Sequence, residues 1–168
     1  MTRTVQINTH VPSIYVDVCV EDSLRSNDLF IDDVVALFSK TPEFSVGRQY
    51  ARADFVDRLV YRRSVSMVAR DHRKSMVGFL CSYQRPTSQD DKHLHLWIGA
   101  VDPAYRGKNI MANMIDITTM IWQLSGGNRL SANTPAQYAA MQRTLELCSF
   151  SQSARTPSGK HAYLKKLN

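Results

Sequence analysis

The segment His93-Leu-His-Leu-Trp-Ile-Gly-Ala-Val101 constrains this chain more than any other. It has strong strand character, stops at Asp102-Pro103, and runs through the turn Ala104-Tyr-Arg-Gly-Lys-Asn109 into an apolar-periodic helix over about Lys108 to Leu124. Ile110, Met114, Ile117 and Ile121 mark the buried stripe of that helix, and Ser125-Gly126-Gly127 ends it. A strand feeding a helix excludes an all-helical bundle and an all-β sandwich. It also places a helix N-terminus at a strand end. There, unpaired backbone N–H groups, Gly107 and the charges of Arg106 and Lys108 make an anion site, whereas the later glycine pair is a helix terminus and not a phosphate cradle.

The flanking elements complete an α+β pattern. Ile14-Tyr-Val-Asp-Val-Cys-Val20 alternates as a first strand, and residues 1–13, which lack a period, read as a loosely attached N-terminal segment of one domain spanning 1–168. Phe30, Val34, Leu37 and Phe38 predict a helix over Asp28 to Lys40 behind the caps Ser26 and Asn27, stopped by Thr41-Pro42. A second helix follows over about Ala53 to Tyr61. Val65–Ala69 and Met76–Tyr83, separated by the polar Arg70–Ser75, predict an antiparallel hairpin. After Arg129-Leu-Ser-Ala-Asn133, Thr134-Pro-Ala-Gln137 predicts a capped start for a helix carrying Tyr138, Met141, Leu145 and Cys148; two strands close the chain around a turn at Thr156-Pro-Ser-Gly159.

Composition excludes several classes. With 168 residues, 43% hydrophobic and 21% charged, the chain is neither low-complexity nor disordered. No apolar run approaches the roughly 20 residues that span a bilayer, and no secretory signal is evident, so a soluble, cytoplasmic protein without a membrane partner is expected. Cys19, Cys81 and Cys148 are odd in number and widely spaced, which fits small buried hydrophobes and no disulfide or zinc framework. A net charge of +6 favours an anionic partner. Nucleic acid is one candidate and a polyphosphate cofactor another; the scattered basic residues make the nucleic-acid signal weak, and charge alone does not decide between them.

The segment around Arg106 resembles the signature of the GNAT superfamily of N-acetyltransferases, V-x-P-x-x-R-G-x-G-I-G/A, at Val101, Pro103, Arg106, Gly107 and Ile110. Asn133 resembles the family's asparagine after the following strand, and Leu145-Glu-Leu-Cys-Ser-Phe150 its Tyr-Glu-Lys-Leu-Gly-Phe segment. The resemblance implies a mixed, splayed sheet of about six to seven strands flanked by about four helices. It further implies acetyl-CoA or another acyl-CoA as co-substrate and no metal. Gly99, Ala100 and Val101 would pair with the pantetheine arm, and Arg106, Gly107, Lys108, Asn109, Ile110 and Met111 would cradle the pyrophosphate, with Asn133 nearby. Asn109 and Met111 stand where the family has small residues, which predicts a positive φ at Asn109. Leu145 replaces the tyrosine that often protonates the leaving thiolate in the family, so Tyr138, Ser149 or a water takes its place, or the thiolate leaves unaided.

An ammonium acceptor must lose a proton before attacking a thioester. His93, His95 and Trp97 share one strand face by the two-residue period, opposite Leu94, Leu96 and Ile98. His95 also falls where many members of the family place a base, so an imidazole of ordinary pKa near 6.5 is expected to serve, with His93 as second candidate. The same histidines also fit a hydrogen-bonded strand pair or two thirds of a metal site, and Trp97 fits either sheet packing or the acceptor pocket. The reading is an N-acyltransferase acting on a primary amine of a small molecule by direct attack in a ternary complex. Its alternatives are a donor tethered to an acyl-carrier protein and a non-catalytic CoA-binding module; a homodimer through the C-terminal strands is a further expectation.

Overall fold

A computed structural model describes residues 3–6, 14–20, 28–45, 50–59, 62–86 and 91–167. Its elements run β1 (Arg3–Gln6), β2 (Tyr15–Val20), α1 (Asp28–Lys40), α2 (Pro42–Ser45), α3 (Arg52–Leu59), β3 (Ser64–Arg70), β4 (Met76–Gln84), β5 (His93–Val101), a 3-10 turn (Pro103–Tyr105), α4 (Ile110–Leu124), β6 (Arg129–Thr134), α5 (Ala139–Leu147), β7 (Ser151–Arg155) and β8 (His161–Lys166). The strands form one eight-stranded sheet in the order β1-β2-β3-β4-β5-β6-β8-β7. Every neighbouring pair is antiparallel except β5 and β6. The α+β reading with a mixed sheet holds, enlarged by the four-residue strand β1 and the four-residue helix α2. Neither short element has enough residues to show a period.

Helices cover both sheet faces. Phe30, Ile31, Val34, Leu37 and Phe38 of α1 and Phe55 and Leu59 of α3 are buried against Val68, Phe79 and Cys81. On the other face Ile110, Met114, Ile115 and Trp122 of α4 and Leu145 of α5 pack on Met67, Leu80, Leu94 and Leu130. Thr41 ends α1 by donating its hydroxyl to the Leu37 carbonyl at 2.9 Å. Pro42 cannot continue that ladder and opens α2 instead. Ser26, Asn27, Val60, Tyr61 and residues 7–13 lie outside the described residues.

Three boundaries differ from expectation. Arg3–Gln6, in the segment expected to be loosely attached, is a paired edge strand. Thr134 does not cap a helix: it pairs with His161 in the β6–β8 ladder, and α5 starts at Ala139 after a turn closed by the Tyr138 N–H on the Pro135 carbonyl at 3.1 Å. The ladder thus wins over a local capping preference. Finally, α4 begins at Ile110 with Asn109 as N-cap.

Cys81 and Cys148 are buried thiols, and burial pushes Cys148 up to about 11. At the end of α4, Gly126 carries the positive φ of 75° and Gly127 makes room for Trp122, whose indole N–H donates to the Lys92 carbonyl at 3.1 Å. A Cβ at Gly127 would lie 2.2 Å from the Trp122 indole nitrogen. Gly127→Ala is therefore expected to destabilise the fold by about 1–3 kcal/mol in urea unfolding, with a matching change at the Trp122 fluorescence; an unchanged midpoint would contradict the packing.

Candidate functional site

The site begins as an irregularity in β5. The β4–β5 register steps from Cys81↔Ile98 to Ser82↔Leu96, leaving Trp97 as an extra residue. Such a bulge reverses the phase of alternation. Leu94 and Leu96 face α4, but Ile98 and Ala100 beyond the bulge join Trp97 on the α1–α3 side. This corrects the strict alternation, which placed Ile98 opposite Trp97.

On the other edge of β5, parallel pairing with β6 runs from His93↔Arg129 to Leu96↔Ala132 and stops. Beyond that point β6 continues to pair with β8, while residues 97–101 have no partner strand on that side among the described residues. The gap between the strands is a cavity of about 1100 Å³. Gly99, Ala100, Val101, Arg106, Gly107, Lys108, Asn109, Ile110, Met111 and Asn133 all line it. The fold thus brings together every residue expected around a CoA.

Local geometry at the turn suits an anion. Gly107 has φ 75° with open space where a Cβ would stand, and Asn109 has the expected positive φ of 57°. Asn109 makes no side-chain bond to the first turn of α4, so the helix's leading amides are not capped by a side chain. Tyr105 fixes the turn from behind by donating to the Asp71 carboxylate at 3.0 Å. Burial pushes that carboxyl up, but bonds from the Ser75 N–H, the Tyr105 hydroxyl and the Arg73 N–H more than offset it and hold the pKa below its ordinary value. Asp71 is thus a buried anchor, not part of a merely solvated hairpin turn. At the strand, Gly99 is needed for close approach: a Cβ there would lie 2.9 Å from Met111 Cε and 3.0 Å from the Phe79 carbonyl.

Arg106 behaves differently from expectation. Its guanidinium holds both carboxylate oxygens of Glu43 at 2.7 and 2.9 Å and donates from Nε to the Val101 carbonyl at 3.2 Å. The Arg106 hydrogen bond holds the Glu43 carboxyl below the usual range. Tyr138 reaches the same residue from the far wall, donating its hydroxyl to the Glu43 carbonyl at 2.5 Å. Sequence reading missed Glu43 and Phe44 in this wall, because α2 is too short for periodicity to show, and Tyr50, which lies outside any helix or strand. Of the alternatives for the absent tyrosine, Tyr138 lines the cavity. Ser149 sits at the end of α5 with φ 64° and is not among the lining residues, while Leu145 is fully buried.

His93 and His95 meet at Ser131, which was also missed. The Ser131 hydroxyl lies 2.6 Å from His93 Nε2 and 2.9 Å from His95 Nδ1, and Arg85 lies 3.3 Å from His95 Nε2. Arginine only donates, so His95 Nε2 accepts, His95 Nδ1–H donates to Ser131, and the Ser131 hydroxyl donates to His93. Both His95 nitrogens are occupied. Burial first, then the charge of Arg85, pushes His95 down to about 3, and burial also lowers His93. Neither imidazole is among the lining residues. The expectation of an imidazole of ordinary pKa near 6.5 is corrected: the pair is neutral, hydrogen-bonded and behind the wall. Trp97 does both things weighed for it, lining the cavity and packing edge-on against Tyr50 and tilted against Phe55, each at 5.1 Å, with the Arg58 guanidinium 4.5 Å over its ring. Among the described residues no group of three or more His, Cys, Asp or Glu is placed to hold a metal, and no helix is long and apolar enough to cross a membrane.

A mixed sheet that opens between two parallel neighbours, with an uncapped helix start at the opening, is the architecture of an acyltransferase fold. The profile of the Acetyltransferase (GNAT) family matches residues 31–148, and the chain belongs to that family and is an acyltransferase. One curated relative, the L-2,4-diaminobutyric acid acetyltransferase of Streptomyces coelicolor, is 42% identical over 53 residues, which cover 32% of this chain and 30% of that protein. The chain therefore matches less than a third of that relative's length. Among solved structures, the NatC complex bound to Gag peptide and CoA superposes with a TM-score of 0.73 at 15% identity, covering 91% of this chain and 99% of the other. The ribosomal-protein-S18-alanine N-acetyltransferase of Escherichia coli gives 0.65 at 14% identity, covering 99% and 93%. At these identities the likeness is one of fold.

Proposed function

We propose that this protein transfers an acetyl or other short acyl group from a CoA thioester to the primary amine of a small molecule, by direct attack within a ternary complex. The observation that carries the reading is the single cavity joining the uncapped turn at Gly107–Ile110 to the bulge at Trp97. In this reading the turn amides take the pyrophosphate, and the unpaired edge of Gly99–Val101 takes the pantetheine. When bound, acyl-CoA supplies the electrophilic thioester carbonyl. The amine nitrogen forms the N–C bond, the C–S bond breaks, the thiolate leaves, and the nitrogen sheds its proton. The relative named for diaminobutyric acid, a small diamine, is consistent with such an acceptor.

Deprotonation is assigned to the environment and not to a histidine. Aromatic walls and the Arg58 guanidinium stacked on Trp97 disfavour an ammonium, so the bound acceptor releases its proton to solvent more easily than in water. The expected kcat/KM rises with pH along the acceptor's own free-base fraction, with no inflection near the ordinary histidine pKa. His95→Asn is expected to retain kcat within about tenfold; a loss of 10² to 10⁴ would reinstate His95 as the base.

Calorimetric titration with acetyl-CoA, CoA and phosphopantetheine, followed by an amine screen, tests the donor assignment. Tight binding that requires the nucleotide supports it. One observation favours a carrier-tethered donor as second reading: Arg106 is neutralised by Glu43 and is not free for the nucleotide. Equal binding of phosphopantetheine alone would select that reading.

A further inference from the structure

The cavity's charges are few, and two of the four are paired with each other. Among the described lining residues they are Glu43, Arg106, Lys108 and Lys160. Glu43 and Arg106 are paired through both carboxylate oxygens. Lys108 lies in the turn, with its ammonium 5.1 Å from the Tyr105 ring centroid. Lys160 remains, with no carboxylate partner among the described residues.

Lys160 has a fixed base. It stands at the entry to β8, and its N–H donates to the Thr156 hydroxyl at 3.0 Å while its carbonyl accepts from the Thr156 N–H at 2.8 Å. The Thr134↔His161 pair puts Lys160 just beyond the end of β6, on the β6–β8 wall of the cavity, across the gap from β5 and the turn assigned to the pyrophosphate. A purely cationic acceptor entering along this wall meets an ammonium and no available carboxylate. The Trp97 face does not serve as a cation cage either, because Arg58 already stacks on that ring.

We propose that the acceptor amine also carries a carboxylate, and that Lys160 binds it. This rests on the small-amine reading above and narrows it to amino acids and related amino carboxylates, excluding polyamines and other polycations. A charge-assisted bond to the carboxylate holds the zwitterion in the cavity, and it offsets the repulsion that Lys160 exerts on the incoming amine.

The test offers lysine, ornithine and 2,4-diaminobutyrate, each as free acid and as carboxamide, to the wild type and to Lys160→Gln and Lys160→Arg in the presence of acetyl-CoA. The expected result is at least about a tenfold preference of the wild type for the acid in kcat/KM. In Lys160→Gln that preference is lost through KM, with kcat within about twofold and CoA affinity unchanged, and Lys160→Arg restores it. A wild type indifferent to the carboxylate, or a Lys160→Gln variant that keeps the preference, overturns the proposal. Calorimetry of the same compounds on the CoA-loaded protein separates the two readings. Selective binding of the acid without acetyl transfer would sink the small-amine reading and leave the Lys160 assignment standing.

Discussion

Gly107→Asp is expected to weaken acetyl-CoA binding by about 100-fold, while Gly107→Asn weakens it far less. Gly107 adopts φ 75° with nothing near its missing Cβ, and Asn and Asp tolerate that conformation better than other residues. Neither change therefore carries a steric cost within the protein. The two side chains have the same shape, so their difference isolates charge. A carboxylate facing a pyrophosphate at about 5 Å costs roughly 3 kcal/mol at an effective dielectric of about 20, which corresponds to a factor of about 100. Calorimetry with CoA reads the effect directly. Equal losses in the two variants would mean that the turn is sensitive to bulk alone, and no loss in either would remove the pyrophosphate from this turn.

The second large effect concerns stability against acid. His95 is 5% exposed and its folded pKa is pushed down to about 3, against 6.5 ordinarily. Between these values the unfolded chain binds a proton that the folded chain refuses, so stability is complete above the unfolded pKa and falls as pH drops through it toward the folded one. A shift of this size corresponds to at most about 5 kcal/mol, of which about 2 kcal/mol is lost between about pH 7 and about pH 5. His93, lowered in the same direction, adds to the slope. Urea unfolding across that window should show the decline, and His95→Asn should flatten it even if its stability at neutral pH is lower. An unaltered slope in the variant would mean that His95 is not the group refusing the proton. The buried ring network would then need another explanation.

The two effects separate binding from architecture. In the proposed reading the turn at Gly107 acts on the ligand through backbone geometry and needs no side chain of its own. His95 acts on the fold, with Arg85 and Ser131 occupying both ring nitrogens, and in the proposed reading it is not the group that takes the acceptor's proton. Residue type alone does not distinguish these roles. An imidazole on the strand leading to the cofactor turn has the chemistry of a base until its neighbours are known.

Much of the donor side was legible in the chain because its determinants are local. The Val101–Met111 segment states a strand end, a glycine that frees the backbone and an asparagine that accepts a positive φ, and all three are properties of adjacent residues. Helix α1 was likewise readable, since Phe30, Val34, Leu37 and Phe38 repeat at helical spacing. The residues that surround the donor side were not. Glu43, Tyr50, Ser131 and Lys160 come from four distant stretches, and none belongs to a motif with a local pattern.

By itself, then, the sequence determined an α+β chain with an anion-ready turn between β5 and α4, because strand alternation, helical periodicity and a glycine's freedom are set by neighbours along the chain. Only the tertiary structure decided that Arg106 is spent on Glu43, that Trp97 bulges and turns Ile98 to the opposite face, and that burial and Arg85 hold His95 neutral. Charge compensation, strand register and desolvation depend on what the fold brings within a few ångströms, and sequence spacing carries no record of that.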